Sequence, residues 1–182
     1  IVAAVDGSEQ ALNGVRWAAA AAVRQNRPLQ LVSAVSPPTI PRFGAAISLG
    51  QAYVDAARAF AEGALDVARE IAREVAPGVT ESGEVLDGRP QLVLRQLSSR
   101  AHMLVLGRRG LGGVRGLLLG SVSTDVSAHA DCPVVVVPET PRTSGPVVVG
   151  VDGSRVSAAA IEEAFAQASI IGVPLIAVHT YN

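Results

Sequence analysis

The sequence predicts an α/β fold with a doubly wound parallel sheet, followed by the first strand–helix–strand part of a second copy. Along Ile1–Pro138, short continuous apolar runs alternate with segments of helical periodicity, as in sheets covered by helices on both faces. The opening of the chain then recurs without a gap near its other end. The tetrapeptide Val5–Ser8 (VDGS) returns as Val151–Ser154, and Pro28-Leu29 returns as Pro174-Leu175.

Composition excludes several classes of protein. Apolar residues make up 49% of the 182 residues and charged residues 17%, so the chain can bury a core and is not disordered. The net charge of −1 argues against a broad nucleic-acid surface. Cys132 is the single cysteine, which rules out an intrachain disulfide. No apolar run approaches the roughly 18 residues of a membrane helix, so we expect a cytoplasmic protein with no membrane partner.

The predicted elements follow from the apolar runs and from helix start and stop signals. Ser8 is placed to cap the first helix, and Pro77 with Gly78 ends the long second helix. Prolines and glycines mark Ser36–Gly50 as a loop. The predicted strands are Ile1–Val5, Leu29–Val35, Val79–Val85, Met103–Leu106 and Val134–Val137, and the predicted helices are about Glu9–Gln25, Gln51–Val75, Arg89–Ser99 and Ser121–Ala130.

The recurrence predicts two domains, the first being residues 1–138. Prolines, a glycine and small polar residues mark 139–146 as a linker, and 147–182 match the N-terminal part of a second, incomplete domain. A lone strand–helix–strand unit cannot cover its own apolar faces, so we expect roughly a hundred further residues to complete it.

The segment from Gly107 to Ser121 is rich in glycine and arginine and lies between a strand and a helix. Ligands of open parallel sheets bind at such strand ends, and the N–H groups at a helix start favour an anion. Glycines let the backbone approach phosphate oxygens, and we expect them to adopt positive φ. Arg108, Arg109 and Arg115 add positive charge. Ser121 either caps the following helix or donates to a phosphate.

Two better-known phosphate-binding patterns are absent from the sequence. All 15 basic residues are arginine, so no lysine is present for a Gly-Lys-Ser/Thr phosphate loop. A dinucleotide fingerprint would follow the first strand, where the sequence is instead Asp6-Gly7-Ser8 without a further glycine pair.

Three landmarks, in order along the chain, match those of one known family. The pattern G-x2-G-x9-G-S that begins at Gly107 matches the motif G-x2-G-x9-G-(S/T). Val5–Ser8 is similar to the family's first strand and turn, and His129–Val137 is similar to its closing strand. The chain thus resembles the universal stress proteins of the ATP-binding subgroup. The resemblance covers 1–138 and again 147–182, as in the tandem members of that family.

The resemblance implies a Rossmann-like five-stranded sheet in the order 3-2-1-4-5, with a cleft at the ends of strands 1 and 4. It implies ATP as the ligand, with any Mg²⁺ held mainly by phosphate oxygens and water. The implied nucleotide-binding residues are Ala4 and Val5 beside the adenine, Asp6 near the ribose, backbone groups of Ala34 at the adenine edge, Gly107, Arg108, Arg109, Gly110, Gly112 and Gly113 around the ribose and phosphates, and Gly120, Ser121, Val122 and Ser123 at the triphosphate.

In that strand order Val134–Val137 is an apolar edge, and exposed apolar edges are usually paired or covered. We expect this strand to pair with its equivalent in a second universal stress protein domain or in a second chain, giving a homodimer. No nucleic-acid partner is expected.

Several residues have a second interpretation. Asp6 is a candidate nucleotide ligand, with a cap near the helix start as the alternative, whereas Ser8 is more simply a cap. Cys132 beside Pro133 reads as a packed thiol rather than a reactive one. His129 lies near a helix terminus as a favourable charge, and the spacing of the histidines indicates no metal site.

The function that these features favour is nucleotide-occupancy sensing or regulation in a stress response, without catalysis. The loop has no lysine, and no carboxylate lies near it in sequence to orient an attacking water. The alternative is an ATP hydrolase or adenylate-forming enzyme on the same sheet, which would need a first loop rich in Ser-Gly-Gly. A third class is a dimerisation module with an empty cleft, and the complete glycine motif argues against it.

Overall fold

The fold is given by a computed structural model, which describes residues 1–36, 46–111, 118–142 and 144–179. The chain forms two compact units, Ile1–Glu139 and Thr140–Asn182. The boundary falls at the start of the predicted linker, and the assignment of 147–182 to a second domain stays a prediction. Within the described residues, every helix is too short or too polar to cross a membrane.

The first unit is built on a five-stranded parallel sheet in the order β3-β2-β1-β4-β5, which confirms the predicted order and fold class. Its elements are β1 (Val2–Ala4), α1 (Glu9–Arg24), β2 (Leu29–Val35), α2 (Ala46–Val75), β3 (Glu81–Asp87), α3 (Pro90–Ser98), β4 (Leu104–Gly107), α4 (Ser121–His129) and β5 (Val134–Val137). Because β1 and β4 are neighbours and their connections leave toward opposite faces, a crevice opens at their carboxyl ends.

Two apolar clusters cover the two faces of this sheet. On one face, α1 and α2 contribute small, fully buried side chains such as Ala18 and Ala68, which share a cluster with Leu31. On the other face, Leu94 of α3 and Val126 of α4 share a cluster with side chains of the same strands. Successive strand residues point to opposite faces, so a sheet buried on both sides needs the continuous apolar runs of this sequence.

The turn between β1 and α1 is fixed by Gly7 and Ser8. Gly7 has a φ of +83°, a left-handed value that favours glycine. Ser8 is the N-cap of α1, and its Oγ accepts a hydrogen bond from Ala11 N at 3.2 Å. The prediction that Ser8 caps the first helix is therefore confirmed.

The start of α2 and the end of β4 differ from the prediction. α2 begins at Ala46 rather than at about Gln51, because the last proline before it is Pro41 and the residues that follow are compatible with a helix. β4 continues to Gly107, which still pairs with Val137 of β5. The bounds predicted for β1, β2, β5, α1, α3 and α4 lie within one residue of those observed.

The predicted position of β3, Val79–Val85, is wrong by two residues, because β3 is an edge strand with a polar sequence. At its first residue the carboxylate of Glu81 forms an ion pair with Arg73 of α2. Between Val79 and Val85 the sequence is polar or glycine, so no apolar run marks which residues pair with β2.

Cys132 and His129 lie at the junction between α4 and β5. Cys132 is half-buried against the cluster beneath α3 and α4. Burial raises the pKa of its thiol, and a hydrogen bond involving the backbone of Leu104 opposes this more weakly. A thiol of raised pKa is a poor nucleophile near neutral pH, in agreement with a packed role. His129 is the last residue of α4, at the helix terminus where the sequence placed it.

The second unit consists of β6 (Val147–Val151), α5 (Arg155–Ile171) and β7 (Leu175–His179), with the two strands parallel. Ser154 caps α5 by accepting a hydrogen bond from Ser157 N, and hydrogen bonds from Ser154 lower the pKa of Asp152. The unit therefore repeats the capped turn found after β1.

Candidate functional site

A cavity of about 350 Å³ opens at the carboxyl ends of β1 and β4, where the sequence predicts a cleft. Apolar side chains form most of its wall, and its polar side chains include Asp6 and Arg109, an arrangement typical of small-molecule sites. Its described lining residues are Ala4, Val5, Asp6, Ala11, Val32, Ala34, Pro90, Leu94, Leu106, Gly107, Arg109, Gly110, Leu111, Leu119, Gly120, Ser121, Val122 and Ser123.

The carboxylate of Asp6 joins the turn after β1 to the glycine-rich segment after β4. Its Oδ1 accepts hydrogen bonds from Ser8 N at 3.0 Å and from Ser8 Oγ at 2.6 Å. Its Oδ2 accepts one from Leu111 N at 2.9 Å. Hydrogen bonds to a charged acceptor are stronger than neutral ones, so this carboxylate orders its own turn and also holds the distant segment.

Two glycines of the motif lie in close contact with residues that follow β1. A Cβ atom on Gly107 would lie 2.6 Å from the carbonyl oxygen of Gln10, and one on Gly110 would overlap Oδ2 of Asp6. Between these glycines, Arg109 N donates a hydrogen bond to Gln10 Oε1 at 2.9 Å. The backbone of this segment therefore lies directly against the start of α1, with no room for a side chain at either glycine.

The expectation of positive φ is wrong for the described glycines of the motif, Gly107, Gly110 and Gly120. Gly120, for example, has a φ of −73°, which any residue adopts. Close approach is the physical reason for glycine at the first two positions, where neighbouring backbone and the Asp6 carboxylate occupy the place of a Cβ atom.

Arg108 closes the base of the glycine-rich segment. Its N–H donates to Val137 O of β5, and its carbonyl accepts from Gly120 N, both at 2.9 Å. Its Nε donates to the carbonyl of Leu118 at 2.6 Å. Arg108, predicted as a nucleotide-binding residue, therefore braces the loop and is not among the described lining residues of the cavity.

The start of α4 presents backbone N–H groups to the cavity. The N-cap is Gly120, which has no side chain to accept a hydrogen bond, so the first turn from Ser121 to Ser123 carries N–H groups without a capping side chain. Ser121 is the first helical residue, so the alternative that it caps α4 is wrong. Ser123 Oγ donates to Gly107 O at 2.9 Å and ties this turn to β4. Such a helix start favours an anion.

Arg109 adds a positive charge to the same wall of the cavity. Its Nε atom is buried and has no hydrogen-bond partner among the described residues. Burying a donor of a charged group without an acceptor is costly. An anion that entered the cavity would supply that acceptor.

The end of β2 offers a backbone donor and acceptor on another wall. Val5 N donates to Val32 O at 2.8 Å, so the even-numbered residues of β2 face β1. β1 ends at Ala4, and the N–H and C=O of Ala34 therefore point past its end, at the cavity that Ala34 lines. The N–H of Val5 is used within the sheet, which leaves only its other atoms for the predicted contact with adenine.

Most residues predicted for the site lie around this one cavity. One exception is Arg108, which is described but does not line the cavity. The others are Gly112 and Gly113, which lie outside the described residues, as does Arg115. Sequence reasoning missed the apolar wall, which consists of Ala11, Val32, Pro90, Leu94, Leu106, Leu111 and Leu119. Pro90 and Leu94 lie one helical turn apart at the start of α3, so they share one face of that helix. This spacing directly after a strand is the signal that could have indicated them as lining residues.

The family model described as the universal stress protein family matches residues 1–138. The chain belongs to the universal stress protein family. Over its whole length it is 39% identical to universal stress protein Rv1996 and 34% identical to universal stress protein Rv2623, both of Mycobacterium tuberculosis. It spans 62% and 63% of the length of these two relatives.

Solved structures of universal stress proteins share the fold. One from Archaeoglobus fulgidus matches 100% of this chain over 66% of its own, with a TM-score of 0.77 at 18% identity. A dAMP complex from Archaeoglobus fulgidus matches 74% of this chain over 94% of its own (TM-score 0.55, 24% identity). An Arabidopsis thaliana protein with AMP bound matches 76% of this chain over 90% of its own (TM-score 0.51, 21% identity).

We expect Gly110→Ala to destabilise this universal stress protein, because the added methyl group overlaps Asp6 Oδ2 and displaces it from Leu111 N. Loss of one hydrogen bond to a charged acceptor should lower the free energy of unfolding in a denaturant titration by about 1.5–3 kcal/mol. Gly63→Ala is the matched control: nothing lies within 4 Å of its Cβ position on α2. Alanine there should stabilise the helix by about 0.5–1 kcal/mol. Equal stability of Gly110→Ala and the wild type would contradict the contact described.

Proposed function

We propose that the first unit of this universal stress protein binds an adenine nucleotide, with ATP as the preferred ligand, and that its occupancy is sensed or signalled in a stress response. One observation carries the proposal. A single cavity combines the free strand edge of Ala34 with the unpartnered Nε of Arg109 and the open N-terminus of α4. The first suits a nucleobase edge, and the other two suit an anion.

The order of the strands fits the order of groups in a nucleotide. β1 lies between β2 and β4, and neighbouring strands are about 4.8 Å apart. We place the base at Ala34 after β2, the ribose at Asp6 after β1, and the phosphates at Gly107 and Gly110 after β4. Asp6 Oδ2 accepts from Leu111 N, and a carboxylate oxygen can accept a second hydrogen bond, here from a ribose hydroxyl.

The triphosphate is proposed to lie at the start of α4, against Gly120, Ser121, Val122 and Ser123. Gly112 and Gly113 are proposed to complete the loop around it. The relatives of the same fold with AMP or dAMP bound support adenine as the base. Among the described residues no group of three or more His, Cys, Asp and Glu side chains could hold a metal ion, so we propose that any Mg²⁺ is held through phosphate oxygens and water.

We propose binding without turnover as the main activity. The Asp6 carboxylate lies near the loop in space but already accepts hydrogen bonds from two N–H groups and one hydroxyl. Its oxygens are thus engaged by the turn, by the loop and by the proposed ribose contact, so the carboxylate is not free to orient an attacking water. A turnover assay with the intact protein tests the hydrolase alternative.

The partners that we propose are a second universal stress protein domain or a second chain. β5 is the edge strand of the described sheet and consists of four valines. Pairing with an equivalent strand would satisfy its outer backbone groups.

ATP should bind the wild type in calorimetry and be recovered from protein denatured directly after purification. Gly120→Val should weaken binding more than about a hundredfold, since its side chain enters the space between α4 and the loop and removes at least two charge-assisted hydrogen bonds. The φ of −73° allows valine and the nearest atom to its Cβ position lies at 3.4 Å, so we expect the fold to be retained. Ser121→Ala, which removes one hydroxyl, should weaken binding only about fivefold. Normal ATP affinity in Gly120→Val would show that the triphosphate is placed wrongly.

GTP should compete at least about tenfold more weakly than ATP, because guanine reverses the donor and acceptor of adenine and leaves the N–H and C=O of Ala34 unpaired. A competition titration against a fluorescent ATP analogue measures this ratio. Equal inhibition constants for the two nucleotides would argue against base recognition at Ala34.

Pairing through β5 should give a dimeric mass in light scattering and slow hydrogen exchange at the amides of Val134 and Val136. Arg108 N donates to Val137 O, so odd-numbered residues of β5 face β4 and the two even-numbered ones face outward. A monomeric mass together with fast exchange at Val134 and Val136 would refute the proposed partner surface.

A further inference from the structure

We propose that Gln10 is a positioning residue for the nucleotide site, which fixes the start of the glycine-rich loop, Gly107–Leu111, before a ligand arrives. The inference rests on the proposed function and adds to it a residue that does not line the cavity. Gln10 Oε1 accepts the hydrogen bond of Arg109 N at 2.9 Å, and this contact is partly buried. The side chain therefore acts through the loop backbone.

The bond holds a part of the loop that is flanked by glycines. Arg109 lies between Gly107 and Gly110, and a backbone that contains glycine loses more conformational freedom on ordering than any other. A loop that must be ordered by its ligand binds that ligand more weakly than one held in place beforehand. Gln10 holds the N–H of Arg109 from one side, and Asp6 holds that of Leu111 two residues later.

Gln10 differs from Asp6 in its charge. Asp6 contributes a negative charge beside the proposed phosphates, whereas the amide of Gln10 supplies an acceptor without one. The Gln10 side chain can therefore order the loop with no electrostatic penalty for an anionic ligand.

The internal repeat argues that glutamine is not required by the turn or by the start of the helix. The second unit keeps Asp152, Gly153 and the capping serine, yet valine stands at position 156 where the first unit has Gln10. Val156 is 81% exposed and lies in a well-formed helix, α5. In the first unit this position contacts the glycine-rich loop.

The test compares Gln10→Met, which keeps the length of the side chain but removes the acceptor, with Gln10→Glu, which keeps an acceptor oxygen. Gln51→Met, at an exposed position in the second turn of α2, is the matched control. In the nucleotide-free intact protein, amide exchange at Arg109 should accelerate at least about tenfold in Gln10→Met, and remain as in the wild type in Gln10→Glu and Gln51→Met.

The second measurement is the affinity of each variant for ATP and for adenosine. ATP should bind Gln10→Met about fivefold to tenfold more weakly, the loss expected from one neutral hydrogen bond. The affinity for adenosine, which lacks the phosphates, should change by less than about twofold. A parallel loss of ATP and adenosine affinity with lowered thermal stability would indicate a general structural role and overturn the inference. The inference would also be overturned if, in Gln10→Met, amide exchange at Arg109 stayed as slow as in the wild type and the affinity for ATP were unchanged.

The two proposals fail in different ways. If the wild type binds no nucleotide, the proposed function fails, and the positioning inference fails with it even when Arg109 exchange depends on Gln10. If the wild type binds ATP and Gln10→Met binds it equally well, the positioning inference alone is wrong.

Discussion

The candidate site depends on one contact, in which the backbone of Gly107–Leu111 lies directly against the residues that follow β1. Asp6 and Gln10 supply the acceptors for this contact, and two glycines supply the space. The partners are 99 and 105 positions apart in the sequence, and they meet because β1 and β4 are adjacent strands of the sheet. The shape of the loop is therefore a property of the strand order as much as of its own sequence.

Unequal strand lengths shape one wall of the cavity. β1 has three residues and β2 has seven, and their pairing ends at Ala4 opposite Val32. Beyond this point β2 continues beside open space, which exposes backbone groups that a longer β1 would have paired. The mismatch between two neighbouring strands therefore leaves a free strand edge at the cavity, where we propose that the base binds.

Much of this architecture could be predicted from the sequence, because the signals are local. Apolar runs placed most strands, Ser8 marked a helix start, and the glycine spacing located the loop. The reasons for the glycines could not be predicted, since they lie in contacts with Asp6 and Gln10 that only the sheet creates. Local patterns also could not show that Arg108 turns toward Leu118 and away from the cavity.

The carboxylate of Asp6 fills the space that a side chain at position 110 would need, and this restricts how the sequence can vary. A larger residue at either position requires a compensating change at the other, so substitutions at the two sites should be non-additive. The aspartate after the first strand and the second glycine of the motif, which look like independent family signatures, express a single steric constraint at two places in the chain.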